Sequence, residues 1–210
     1  MGKVLQMLGV LVGICLVSGF ALGGLNQLTN ELYLNNVLKY EKVPALAGIH
    51  DRITGEAMGQ EENAAFEQEL LEKKTMVSTE DGNSLLVFTV PVDGEPYAVA
   101  FETAGKGGFG GDVGVMTAFN IETGNLAGAG VTTHAETPGI GSRIKDDLAF
   151  LGQFKGMSTE KTMKLKKDGG AIDGISGATF SSLAVADGVR RAVEVFEANQ
   201  ETILGAAQGQ

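Results

Sequence analysis

Ser84–Phe101, SLLVFTVPVDGEPYAVAF, sets two runs rich in β-branched and aromatic residues on either side of Asp93-Gly94. A two-residue hairpin turn of type I′ needs positive φ at both central positions, and Asp-Gly is among the pairs that supply it most cheaply. The stretch predicts an antiparallel hairpin. Downstream, Val113–Ile121, the turn Glu122-Thr123-Gly124-Asn125 and Leu126–Thr133 repeat the arrangement and predict a second one. Helical patterns lie outside these strands. Glu61–Lys74 carries acids in its first turn, lysines in its last, and Phe66, Leu70 and Leu71 on one side, as the helix dipole and an amphipathic stripe favour. Ile144, Leu148 and Leu151 fall at i, i+4 and i+7 behind Ser142 as a cap, and Leu183–Asn199 aligns Val185, Val189, Ala192, Val193 and Phe196. Strands grouped in the middle with helices outside indicate an α+β fold: an antiparallel sheet flanked by helices.

Before the first helical pattern, residues 30–60 show no sustained period and read as a connector with a short helix. Farther toward the amino terminus, Val4–Leu25 (VLQMLGVLVGICLVSGFALGGL) is predominantly apolar, and no charge occurs from Val4 to Leu28. About 20 helical residues cross the roughly 30 Å hydrocarbon layer, so this run predicts a transmembrane anchor. A cleaved signal peptide is the rival reading; it would want a shorter apolar run, although Gly19, Ala21 and Gly23 leave room for a small-x-small site. Lys3 on one flank and Glu31 on the other place the start of the chain in the cytoplasm and everything after about residue 30 outside it. The expected organisation is 1–28 anchor, 29–80 connector and helical segment, 81–200 principal domain, and 201–210 tail.

Composition narrows the chemistry. Sixteen Lys and Arg against 26 Asp and Glu leave a net charge of −10, which argues against a nucleic-acid partner. One cysteine and two histidines cannot make a Cys/His zinc or iron–sulfur site, so no metal is expected and any redox centre would be organic. Gly105–Gly110 fits the letters GxGxxG, but the chain leads on into a strand where a dinucleotide fold needs a helix. That loop reads as a flexible connection, or as a surface where something flat comes close to the backbone. Ser176 sits in an elbow-like Gly174-Ile175-Ser176-Gly177-Ala178, yet both histidines, His50 and His134, precede it, against the order of an α/β-hydrolase. His134 alone reads as a polar residue at a strand end. Lys161, Lys164, Lys166 and Lys167 read as a solvated face with at most a minor anion-steering role. Thr179, three residues ahead of Ser182, reads as the N-cap of the last long helix, a place where free amides and the dipole also favour a phosphate. No catalytic acid or base stands out.

Asp173–Ser182, DGISGATFSS, resembles the flavinylation motif of the FMN-binding domain shared by the RnfG subunit of the Rnf electron-transport complex and the NqrC subunit of the sodium-pumping NADH:quinone oxidoreductase. Glu136-Thr137-Pro138-Gly139-Ile140-Gly141 is similar to that family's ETPGxG segment, and Lys166-Lys167-Asp168-Gly169-Gly170 to the run before SGAT. The resemblance implies FMN held covalently by a phosphoester on Thr179, with Ser176, Gly177, Ala178, Ser181 and Ser182 around it. It places Glu136, Thr137, Gly139, Ile140 and Gly141 by the flavin, and the amides of Phe180–Ser182 by its phosphate. It further implies a Mg²⁺-dependent flavin transferase using FAD during maturation, the other subunits of an Rnf-type complex and membrane lipid as partners, and a single-pass protein of the cytoplasmic (inner) membrane with the FMN domain on its outer side. The implied role is electron transfer within a ferredoxin:NAD ion-translocating oxidoreductase, with no turnover completed by this chain alone. An NqrC-type subunit, or an anchored extracytoplasmic binding protein without enzymatic activity, are the alternatives.

Overall fold

The computed structural model describes residues 2–207, and Met1 and the last three residues of the expected tail lie outside these. The chain forms two units, residues 1–40 and 41–210. In the first, helix α1 spans Gly2–Val37, so residues 29–37, expected as connector, are helical. Its segment Gly2–Asn26 is long and apolar enough to cross a membrane, and its described side chains are exposed.

The second unit begins within a π-helical turn, Leu38–Lys42, followed by α2 (Val43–Thr54) and α3 (Gln60–Glu72). Pro44 stands in the first turn of α2, where its missing N–H is not needed, and Gly55 closes that helix in the left-handed conformation. Five strands follow: β1 (Thr75–Ser78), β2 (Ser84–Val92), β3 (Glu95–Gly105), β4 (Val113–Asn120) and β5 (Leu126–Val131). They pair antiparallel in the order β1-β2-β3-β4-β5, a meander. Both expected hairpins are present. Val92 pairs with Glu95 across Asp93 (φ 52°) and Gly94 (φ 80°), the left-handed pair of a type I′ turn.

Alternation along the strands gives the sheet two covered faces. On one, Gly128 and Gly130 leave room for Ile49 and Ala45 of α2: a Cβ at Gly128 would stand 3.1 Å from Ile49. On the other, Val99, Phe101, Val115 and Phe119 share a core with α6 (Thr179–Ala198). There Phe101, Phe119 and Phe196 stack with ring centroids 5.6 and 4.1 Å apart. Strand β3 and α6 meet backbone to backbone, since Gly105 faces the Ala184 carbonyl and Gly188 lies against the Gly105 Cα, and Thr103 donates to the Gly188 carbonyl at 2.8 Å.

Several expectations need correction. The helix expected over Ile144–Leu151 is two short pieces, α4 (Arg143–Asp146) and α5 (Leu148–Gly152), because Asp147 is extended (ψ 100°) and caps α5 by accepting from Phe150 N at 3.0 Å. The break turns Leu148 outward, 71% exposed, while Ile144 and Leu151 stay buried. The Ser142 hydroxyl accepts from Gly139 N at 2.8 Å and makes no cap. The domain does not end at residue 200: Gln200–Ala207 forms α7, whose Ile203 is fully buried in the α6-side core. Likewise α2 and β1, within the expected connector of residues 29–80, belong to the sheet layers.

Candidate functional site

Three stretches far apart in sequence converge beside the start of α6. The first is the glycine loop between β3 and β4, residues 106–112, with no helix opening from it. The second follows β5 and carries Glu136–Gly141. The third is Gly174–Ala178, leading into α6. Together they form a groove of about 280 Å³ lined by Phe109, Glu136, Thr137, Ile140, Gly141 and residues 177–181.

The start of α6 differs from expectation in two respects, the residue at the cap and the amides left free, expected to be those of Phe180–Ser182. Thr179 is the first helical residue and Ala178 holds the cap position, with no side-chain capping bond. Ser182 does the local work: its hydroxyl accepts from Ile175 N at 3.0 Å and donates to the Ala178 carbonyl at 2.9 Å, and its amide also bonds that carbonyl at 2.9 Å. The amide of Ser182 is therefore spent, and the first-turn donors left without a carbonyl one turn earlier are those of Thr179, Phe180 and Ser181. Gly177, at φ 81°, provides the left-handed turn that lets the chain enter the helix. From α4, Arg143 donates to the Ser176 carbonyl at 3.2 Å and steadies the same turn.

Glu136 is buried. Its Oε1 accepts from Gly110 N at 3.0 Å and its Oε2 from the Ser181 hydroxyl at 2.5 Å. The backbones approach closely here: a Cβ on Gly110 would stand 3.0 Å from Glu136 N, and one on Gly141 would stand 2.7 Å from Glu136 Oε2. Apolar surface faces solvent around the groove, with Phe109, Ile140 and Phe180 exposed by 76%, 55% and 61%. Exposed apolar groups rimming a concavity mark a place for a flat apolar ligand or a partner.

Of the residues singled out from the sequence, the fold gathers Glu136, Thr137, Ile140, Gly141, Gly177, Ala178, Thr179 and Ser181 on this groove. Gly139, at φ 73°, turns the neighbouring segment without lining it. Exposed Ser176 and buried Ser182 also lie off the lining, the latter bonded beneath the turn. Phe109 lines the groove with no signal in the sequence to mark it, because an aromatic inside a loop has no period to reveal it. His134 accepts from Glu136 N at 3.3 Å, a local turn contact. Lys166 pairs with Asp173 at 2.6 Å and Lys167 lies 3.8 Å from Asp168, all on an exposed face away from the groove lining. Among the described residues no cluster of three metal-ligating side chains occurs.

These residues fit FMN. The three free amides at the positive end of α6 suit a phosphate, the rim suits an isoalloxazine ring, and half-buried Thr179 lines the same groove. Residues 108–194, which contain every residue that lines the groove, match the family model of the FMN-binding domain. The solved C subunit of the Na⁺-translocating NADH-quinone reductase from Parabacteroides distasonis superposes with a TM-score of 0.52 at 21% identity, over 77% of this chain and 92% of that one, which establishes a shared fold. Among curated proteins, the G subunit of the ion-translocating oxidoreductase complex of Shewanella oneidensis is 30% identical over 186 residues, 86% of this chain and 85% of its own. That of Shewanella loihica is 30% identical over 182 residues, 84% of each chain. With identity of this level sustained along most of both chains, this protein belongs to the family of the G subunits of ion-translocating oxidoreductase complexes.

Proposed function

We propose that this chain is the electron-transfer subunit of an Rnf-type membrane complex, which couples ferredoxin:NAD oxidoreduction to ion movement, and that it carries FMN on Thr179 through a phosphoester bond. The observation that carries this reading is the placement of Thr179: first residue of α6, in the groove, beside three unspent amides, with apolar Phe109, Ile140 and Phe180 at the rim. Attachment needs one displacement. The Thr179 hydroxyl oxygen attacks the FMN-side phosphorus of FAD, the bond to the second phosphate breaks, AMP leaves, and the hydroxyl proton passes to a base of a Mg²⁺-dependent flavin transferase. The product is a phosphodiester of single negative charge, which the amides of Thr179–Ser181 offset.

FMN supplies the redox chemistry, and the protein supplies attachment, position and local charge. Outer-sphere electron transfer asks for no protein acid or base. The helix Gly2–Asn26 spans the cytoplasmic membrane in this reading, in contact with lipid. Lys3 stays on the cytoplasmic side, the FMN domain sits outside, and the remaining subunits of the complex are the partners.

The test is direct. Full-length protein made with the transferase, denatured in detergent and separated by size, should retain flavin fluorescence on the chain; complete release of flavin would overturn the phosphoester. Thr179→Ala should abolish the signal. It should cost well under the ~1 kcal/mol of a lost helix cap, because Thr179 makes no capping bond.

A further inference from the structure

The two oxygens of Glu136 are spent on different segments. Oε1 holds Gly110 N in the glycine loop, 26 residues upstream, and Oε2 holds the hydroxyl of Ser181, third residue of α6 and 45 residues downstream. One side chain thus ties together all three stretches that form the groove. It is 5% exposed and confined by glycines: a Cβ on Gly141 would stand 2.8 Å from both the Cβ of Glu136 and the hydroxyl oxygen of Ser181, and one on Gly108 would stand 2.5 Å from Oε1. Neither hydrogen-bond partner is a cation. A buried carboxylate held by an amide and a hydroxyl draws its remaining compensation from the positive end of α6, at whose first turn it lies.

We propose that Glu136 is a positioning residue for flavin attachment: through Ser181 and Gly110 it locks the first turn of α6 against the glycine loop and presents the Thr179 hydroxyl in one orientation. The proposal rests on Thr179 being the acceptor. Glu136 acts on the frame that carries Thr179, two residues before Ser181, and not on the reacting atoms. Displacing a reacting group by about 1 Å costs up to roughly 100-fold in rate, so a loosened first turn should show mainly in turnover.

The experiment uses the flavin-free full-length chain in detergent, a Mg²⁺-dependent flavin transferase and FAD. Covalent flavin is followed over time at several concentrations of the chain, so that kcat and KM for the acceptor separate. Glu136→Ala should lower kcat about tenfold or more with little change in KM, and should speed amide exchange across residues 105–112 and 177–182. Glu136→Gln keeps an acceptor for Gly110 and can still bond Ser181, and it should recover most of the lost kcat. Ser181→Ala severs only the helix tie and decides the matter if Glu136→Ala unfolds at the assay temperature: slowed kcat supports the lock. Wild-type kcat in Glu136→Ala, or in Ser181→Ala where Glu136→Ala unfolds, overturns the inference, as does a Glu136→Gln chain no faster than Glu136→Ala. A wild-type chain that takes up no flavin would overturn the acceptor assignment itself.

Discussion

Gly105→Ala probes a close backbone approach, where the end of β3 meets α6. A Cβ at Gly105 would overlap the Ala184 carbonyl oxygen, lying 2.8 Å from its carbon and 3.0 Å from Gly188 N. Carbon atoms in good contact sit about 3.5–4.0 Å apart, so the overlap amounts to about 1 Å. The obstacles are backbone atoms, which no change of rotamer moves aside. Helix α6 must lift off the sheet, loosening the Thr103 bond to Gly188 and the packing of Val185 and Val189. Overpacking of this kind costs about 1–3 kcal/mol, and backbone against backbone belongs at the upper end. In a domain of this size about 3 kcal/mol corresponds to a Tm lower by roughly 6–12 °C. Thermal unfolding of the full-length chain in detergent, followed by near-ultraviolet circular dichroism, reads this directly. Because α6 begins at Thr179, flavin loading should fall as well. A Tm within about 1 °C of wild type would refute the stated packing.

Two further outcomes follow from particular contacts. Burial pushes the Asp187 carboxyl up, but hydrogen bonds from Arg190, the Lys106 amide and Arg191 outweigh it and hold its pKa at about 2, against an ordinary 3.8. A lowered folded pKa stabilises above the unfolded value, so after screening by solvent about 1 kcal/mol is present above pH 4 and lost as pH falls from 4 to 2. Asp187→Asn should flatten that part of the stability profile, which urea melts across pH 2–5 would show. Ile203→Ala removes a fully buried side chain and should cost about 2–5 kcal/mol in denaturant unfolding, whereas a cost below about 0.5 kcal/mol would mean α7 is dispensable.

Asp93-Gly94 made the first hairpin legible because its turn chemistry is local, and the stripe of α6 because its period runs through five turns. Strand β1 escaped because Thr75–Ser78 is four residues with one buried side chain, Val77, too short to show alternation. The spacing of Ile144, Leu148 and Leu151 satisfied a helical period, but periodicity does not register a single extended residue, and Asp147 breaks the helix there. At the site, the SGAT and ETPG segments stand out as motifs. What the sequence does not show is phase: Ser181 and Ser182 are neighbours, yet about 100° of helical rotation points one at Glu136 and the other at the turn below it. The glycine loop shows its purpose only when folded, as room for the backbone of residues 135–136.

The electrostatics of the groove bear on why attachment would be covalent. Its lining has no Lys, Arg or His, and it includes a buried carboxylate. Free FMN carries a phosphate monoester of about −1.5 to −2 at neutral pH, and within the lining only amide dipoles offset it beside Glu136, Arg143 being engaged with the Ser176 carbonyl. The proposed phosphodiester on Thr179 would have a single charge and, being tethered, would pay no association entropy on each encounter. Free FMN titrated into the flavin-free Thr179→Ala chain should therefore bind weakly, with a Kd near or above about 1 mM, about −4 kcal/mol. Calorimetry or quenching of flavin fluorescence would measure it. Micromolar affinity would show that the groove holds the dianion without the bond, and the proposed advantage of the ester would fall with it.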